Sequence, residues 1–349
     1  MSALSTPGST APAAYRGRGR GGARLTDLVW LTWRQHRSVI VAGLALAGVV
    51  TGSMLYVAAR IATINHHCGN TACPPGSAEA ASLTGLFGLT NLSIYLTLIV
   101  MFLPLLAGVF LGAPLLAREH EQRTLLLAWS QDITPQRWLW TKFTLLGVLT
   151  AAAAAAVSAA AGHLEATVSI ATGKSLFSLF SGAGFLVTGI LPLALQTVAW
   201  LAIGVALGAA YRRTLPAIFT ALTGYIAVLF LALWQYPSFM SPLRALVPFT
   251  GNQDFTSRLG ANILVVHQGM DAIYDASGHA INRAAVQSLC PSMNSDCPAQ
   301  HHLMEALRYQ PGSRIPDFHL ILAGGYLTLG AIAVAVTWWL VRRTSLSAG

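Results

Sequence analysis

Charge is scarce in this sequence: Asp, Glu, Lys and Arg make up 9% of its 349 residues. A soluble domain carries about a quarter, so a water-facing surface of this size has too few charges to cover it. Lysine is nearly missing, with Lys142 and Lys174 the only two. Cysteine is limited to Cys68, Cys73, Cys290 and Cys297, too few for a small secreted disulfide scaffold. Catalytic signatures are missing as well: there is no His-Glu-x-x-His and no Gly-x-Ser-x-Gly elbow. Gly173-Lys174-Ser175 ends like a phosphate loop, but Val168 stands where that loop needs its first glycine. These absences exclude an ordinary soluble enzyme and an ATPase within the chain. No cofactor is expected in it.

What is present is apolar. Hydrophobic residues make up 54% of the chain and the mean hydropathy is +0.58. Six stretches are long enough for a hydrocarbon core of about 30 Å, which takes roughly 20 helical residues. They are 38–58, 92–116, 138–162, 183–209, 215–235 and 318–340, and Lys142 is the only charged residue in them. Backbone groups in lipid must be satisfied internally, so the spans are helices. The expected fold is an all-α polytopic membrane protein with six transmembrane helices.

The net charge of +9 would suggest nucleic acid in a soluble protein. Here the basic residues follow topology instead, and no nucleic-acid partner is expected. Segments 1–37, 117–137, 210–214 and 341–349, with Lys142, hold 14 basic and 4 acidic residues; 59–91, 163–182 and 236–317 hold 7 and 8. The positive-inside rule places the first set, and both termini, in the cytoplasm of a plasma-membrane protein. Residues 1–24 read as a disordered basic cytoplasmic tail without a signal-peptide core. Residues 25–37 read as an amphipathic connecting helix with Leu25, Leu28, Val29 and Trp33 near one face. Residues 38–235 carry spans one to five, 236–317 form a large extracytoplasmic loop subdomain, and 318–349 hold span six and a short tail.

The spans lack Asp and Glu, which argues against an ion-coupled carrier. Gln196 is the most conspicuous polar residue within them. It suits an interhelical hydrogen bond, and with Phe102 it is a candidate for a translocation path. Pro104, Pro114 and Pro192 are compatible with kinks. In the outer loop, 263–267 and 272–275 are expected to pair as a hairpin, with Gly278 closing a second turn, and 284–289 and 302–307 to form short helices. The four cysteines lie on the expected oxidising side. Local pairs, Cys68 with Cys73 and Cys290 with Cys297, are the economical disulfides, and the two other connectivities stay open. His66, His67, His301 and His302 lie beside them, but their spacing fits no established metal pattern, so no metal is expected.

The segment from Arg118 to Lys142 crowds charges into Arg118, Glu119, His120, Glu121 and Arg123, then continues with an apolar run to Trp129. Thr134 and Pro135 can cap and open the next helix. A short amphipathic helix at 118–131, held by two spans, can transmit a push from a cytoplasmic partner. Glu121-x-x-Thr124, Leu127, Pro135-x-Arg137 and Lys142 resemble the corresponding loop of type-2 ABC exporter permeases of actinobacterial type. Arg123 stands where that family often has Gly. Val29-Trp-Leu-Thr-Trp33-Arg34-Gln35-His36-Arg37 and Tyr309-Gln310-Pro311-x-Ser313-Arg314 are similar to two further motifs of these permeases.

The resemblance implies the transmembrane subunit of an ATP-driven exporter. A partner ABC ATPase would bind ATP and Mg²⁺, and the permease would form a homodimer or a heterodimer with a second permease among membrane lipids. It implies that 118–131 is the coupling helix, with Glu119, Glu121, Arg123, Thr124, Arg137, Trp33 and Arg34 at the ATPase interface. Spans two and five would line the path. The alternative reading is a membrane sensor or signalling protein whose outer loops bind a ligand or peptide.

Overall fold

The computed structural model describes residues 25–71, 73–85, 88–121, 135–172, 182–248, 263–290 and 296–346. Among them, six helical stretches are long and apolar enough to cross a membrane: Thr26–His67, Ala78–Glu121, Arg137–Thr172, Ile190–Tyr211, Thr214–Ser238 and Gly312–Arg343. They follow the order of the six apolar stretches in the sequence.

Helix α1, Leu25–His67, runs 43 residues without a break. It joins the expected connecting segment 25–37 directly to the first span, because no Gly or Pro interrupts those residues. Leu28 and Thr32 are buried there, whereas Val29 and Trp33 are exposed. A short helix, α2 (Ala78–Thr84), precedes the second span.

The second span is a chain of pieces. It runs as α3 (Leu89–Met101), α4 (Leu103–Leu106), a π-helical turn (Ala107–Gly112) and α5 (Ala113–Glu121). Pro104 sits at the start of α4, where its missing N–H is tolerated. Pro114 follows the wide turn directly, so both expected interruptions are real, and wide turns of this kind recur at functional sites.

Helix α6, Pro135–Thr172, extends ten residues beyond the expected third span. Its extension carries Glu165 into the helix and buries it, which corrects the reading of a third span without acidic residues. The expected fourth span is two helices, α7 (Gly182–Thr188) and α8 (Ile190–Tyr211), separated at Gly189. Pro192 therefore lies in the first turn of α8 rather than at a mid-helix kink. A Cβ on Gly189 would come within 2.6 Å of Pro192 and 3.0 Å of His319. Helix α9 spans Thr214–Gln235.

Helix α8 is the packed centre, in contact with α6, α9, the π turn and α5. Its approach to span two is backbone against backbone. A Cβ on Gly108 would lie 2.8 Å from the Trp200 carbonyl oxygen, and one on Gly112 would lie 2.5 Å from that of Leu201. One on Gly208 would lie 2.5 Å from the carbonyl oxygen of Ala113. Lipid tails compete equally for apolar surface, so close packing through small residues holds such helices together.

After α9 the chain leaves the helical layer. Strands β1 (Leu243–Pro248), β2 (Leu264–Tyr274), β3 (Ala280–Ile281) and β4 (Met304–Gln310) form an antiparallel sheet in the order β1-β4-β2-β3. Helices α10 (Arg283–Leu289) and α11 (Asp296–Gln300) lie between β3 and β4. The all-α expectation thus holds for the spans and not for this subdomain. Residues 264–267 and 272–274 of the two expected strands belong to the one strand β2; the hairpin is instead β2–β3, closed by 275–279. The helix expected at 302–307 is strand β4, whose register with β1 pairs Leu243 with Tyr309 and Pro248 with Met304. The sixth span, α12, is Ile315–Leu346.

Candidate functional site

The ends of α1, α5, α6, α8 and α12 meet at one pole through a common apolar cluster. It contains Leu28, Leu116, Trp138, Leu139, Val205 and Ala209, with Leu340 and Val341 packed against it. These ends belong to the basic segments of the sequence, so arginines scattered along the chain converge in space.

Four tryptophan–cation pairs mark this pole among the described residues. Arg34 lies 5.3 Å from the Trp30 ring and Lys142 lies 3.8 Å from Trp138. Arg342 lies 4.2 Å from Trp338 and Arg343 lies 3.8 Å from Trp339. Every pair is four residues apart on one helix, the spacing at which helical side chains stack. Indole rings with cations suit the headgroup level of a bilayer. The sequence carries this signal openly, as a Trp followed four residues later by Arg or Lys.

Two carboxylates fix the last turn of α5. Glu119 Oε1 accepts a hydrogen bond of 2.7 Å from Lys142 Nζ, and the Lys142 side chain is 1% exposed. This pair ties α5 to α6. Glu121 reaches the other way: its Oε1 accepts 2.7 Å from the Thr214 backbone N–H, and its Oε2 accepts 3.0 Å from the Thr214 hydroxyl. A carboxylate at the first turn of α9 satisfies an unpaired amide and complements the helix dipole. The chain that leaves α5 at residue 122 and re-enters α6 at 135 is therefore anchored at its start to two other helices.

Of the residues expected at an ATPase interface, Glu119 and Glu121 thus have intramolecular partners. Trp33, Arg34 and Arg137 are exposed at the same pole. Arg123 and Thr124, with most of the helix expected at 118–131, lie outside the described residues. Lys142, the lone charge of the spans and the last residue of the permease-like loop motif, proves to be the anchor of Glu119. Its partner lies 23 residues away on another helix, a pairing that periodicity does not reveal.

Of the two candidate path residues, Phe102 occupies the break between α3 and α4. Its ring lies 6.5 Å from Tyr225 of α9, and the Tyr225 hydroxyl donates to the Met101 carbonyl at the same break. Gln196 is buried within α8. Span two is thereby tied to α9 at its middle as well as at Glu121.

The opposite pole carries the disulfides and the sheet. Cys68–Cys73 and Cys290–Cys297 are bonded as the local pairs. The Cys73 amide donates to Ala171 at the end of α6. His301 lies close to the Cys290 and Cys297 sulfurs, but those sulfurs are joined to each other rather than available as thiolates. The Tyr309–Arg314 motif is a clamp at the base of the sheet. Gln310 Nε2 donates to the Met240 carbonyl at 2.6 Å, and Arg314 Nη1 donates to Gln310 Oε1 at 2.7 Å and the Ser241 carbonyl at 2.8 Å. It locks the end of α9, the sheet and the start of α12 together.

Comparison with known proteins divides the chain at the same place. A family model described as "ABC-2 membrane transporter related" matches residues 40–235, more than half of the chain. A second, described as "Domain of unknown function (DUF8319)", matches residues 238–315. No curated protein matches the chain. No solved structure matches it.

Proposed function

The chain belongs to the ABC-2 membrane transporter related family, and from that premise we propose that it is the permease subunit of an ATP-driven exporter, worked by a separate ABC ATPase. The family assignment and the six apolar helices make it a multi-pass membrane protein with a transport role. Family membership also implies an ABC ATPase partner. Coupling to that ATPase, export as the direction, the plasma membrane, cytoplasmic termini and a dimer of permeases are the parts we add. Charge asymmetry supports the orientation, because the Trp–cation pole carries the arginines.

The observation that carries the reading is the double anchoring of α5. A push on the segment after Glu121 reaches α6 through Glu119–Lys142 and α9 through Thr214. It also reaches α8 along the glycine contacts of Gly108 and Gly112. The segmented second span supplies the place for movement, since the break at Phe102 and the π turn interrupt its helical ladder. In this mechanism ATP-driven closure of the partner displaces 118–131, and α5 with α8 and α9 moves relative to α3. The path then changes its accessibility from one pole to the other. Glu121, Arg123, Thr124 and Arg137 border the docking surface. None acts as a chemical catalyst; the chemistry of ATP and Mg²⁺ belongs to the partner.

Affinity purification of the full chain from membranes tests this reading. An ABC ATPase is expected to co-elute from wild type, and Arg123→Glu with Arg137→Glu is expected to release it while leaving the permease folded. Elution without any ATPase, from membranes that contain its partner, would contradict the proposal.

A further inference from the structure

A lateral groove opens between α1, the α4–π segment and α6. Its volume is about 410 Å³, and its walls include Val39, Gly43, Leu46, Leu106, Phe110 and Leu149. That volume falls in the range of ligand pockets, about 300–1,000 Å³. The groove is aliphatic almost throughout. Of its hydroxyls, Thr150 and Thr197 bond to backbone carbonyls of their own helices, so they do not polarise the cavity. A Cβ added at Gly43 would meet nothing within 4 Å, so this residue leaves the α1 wall open.

Towards the basic pole, all three walls end in polar groups. On α1, His36 lies four and seven residues before the lining residues Ile40 and Gly43, on their face of the helix. On α6, Lys142 stands in the same relation to Leu146 and Leu149. On α5, Arg118 lies two turns beyond Leu111. Lys142 and Arg118 both act electrostatically on His36, so the three walls converge. Glu119 Oε1 is taken by Lys142. The buried Nε2 of His36 has no hydrogen-bond partner among the described residues. Two cations against one carboxylate leave this end positive.

An apolar trough closed by a positive, hydrogen-bonding end has the polarity of an anionic amphiphile. The geometry points to a bound phospholipid: one acyl chain lies in the groove and the phosphate faces His36 Nε2 and Arg118. An anionic headgroup fits this end better than a zwitterionic one, which brings a second cation towards Arg118 and Lys142. Neither sequence motif nor family match marks this site, and it requires only that the chain be embedded in a bilayer.

Native mass spectrometry of the full-length protein in detergent tests it, with phosphatidylglycerol and phosphatidylcholine supplied in equal amounts. Wild type is expected to retain one phosphatidylglycerol per chain, several-fold in preference to phosphatidylcholine. Arg118→Ala and His36→Ala are expected to bring the two lipids near parity, and Gly43→Leu to lower retention of both several-fold. A phosphatidylglycerol with a photoactivatable acyl chain gives a readout without mutation. Its crosslinks are expected on peptides carrying 39–47, 103–111 and 146–153. Equal retention of the two lipids by wild type, crosslinks elsewhere, or unchanged retention in Gly43→Leu would overturn the inference. Loss of a dimer in Gly43→Leu with lipid retention intact would also overturn it, and would assign the groove to a second copy of the chain.

Discussion

Glu121, the last residue of α5, caps Thr214, the first residue of α9, across 93 positions of sequence. One exposed carboxylate therefore serves two helices. Its geometry is that of an N-cap supplied from elsewhere in the fold: a backbone amide and a hydroxyl both donate to it. Glu121→Ala is expected to fray the start of α9, seen as faster amide exchange at Thr214, Leu215 and Ala217, and to lower the unfolding midpoint by a few degrees. Glu121→Asp, one methylene shorter, is expected to recover part of the loss.

The Glu119–Lys142 pair behaves differently because it is buried. Removing one partner of a buried pair leaves the other uncompensated, typically at a cost of about 3–5 kcal/mol. Lys142→Met and Glu119→Gln are each expected to destabilise strongly, and the double variant to be more stable than Lys142→Met alone. A double-mutant cycle in detergent, followed by thermal unfolding, measures the coupling. Independent, additive losses would show that the contact contributes nothing as a pair.

The glycine seam between span two and α8 gives a contrast in sign. Gly112→Ala forces a Cβ to 2.5 Å from the Leu201 carbonyl oxygen, a backbone atom with little freedom to yield. A loss of about 1–3 kcal/mol is expected, as for other overpacked sites. Gly48→Ala meets nothing within 4 Å and is expected to be neutral or to stabilise by up to about 1 kcal/mol through helix propensity. Parallel unfolding curves of the two variants check both statements.

Much of the membrane layer was legible in the sequence, because hydropathy and span length report the same physics that the bilayer imposes. The breaks of span two were legible too, since Pro104 and Pro114 lack the amide that a continuous ladder needs. Strand β4 was not. Met304-Glu-Ala-Leu-Arg-Tyr-Gln310 is rich in helix formers, and only its pairing with β1 and β2 makes it a strand. Gly108, Gly112, Gly204 and Gly208 likewise look like ordinary membrane glycines until two segments nearly a hundred residues apart are brought together. At the basic pole the charge census gathered the right segments. Side-chain partners such as Glu119 with Lys142 sit on different helices, and local pattern does not encode their meeting.

Topology has a chemical test. The two disulfides lie at the pole opposite the Trp–cation pairs, and the proposed orientation puts them outside. After reduction of intact cells, a membrane-impermeant maleimide is expected to label Cys68, Cys73 and Cys297, which are half-buried, whereas Cys290 is buried. A cysteine introduced as Arg137→Cys is expected to react only after permeabilisation. The reverse pattern would invert the molecule.

The β2–β3 turn is expected to respond to acid. Asp275 accepts from the Ser277 hydroxyl and amide and from the His279 amide. These bonds, the Ser277 hydroxyl foremost, hold its carboxyl below the usual carboxylate range. Because the folded carboxyl is the stronger acid, its contribution is present above the ordinary Asp range and is lost as pH falls through the lowered value. The protection of the Ser277 and His279 amides, measured as exchange relative to the intrinsic rate at each pH, is expected to fall with acid, and Asp275→Ala to abolish that dependence.

The central claim is that the end of α5 transmits work between an ATPase and the spans. Its most direct test is ATP hydrolysis by the assembled complex in lipid nanodiscs, comparing wild type with the Glu119→Gln/Lys142→Met double variant. The account predicts that the double variant keeps its ATPase bound and loses most of the change in hydrolysis rate that the permease confers on the free ATPase. A permease-dependent rate unchanged from wild type, with the partner still bound, would contradict it.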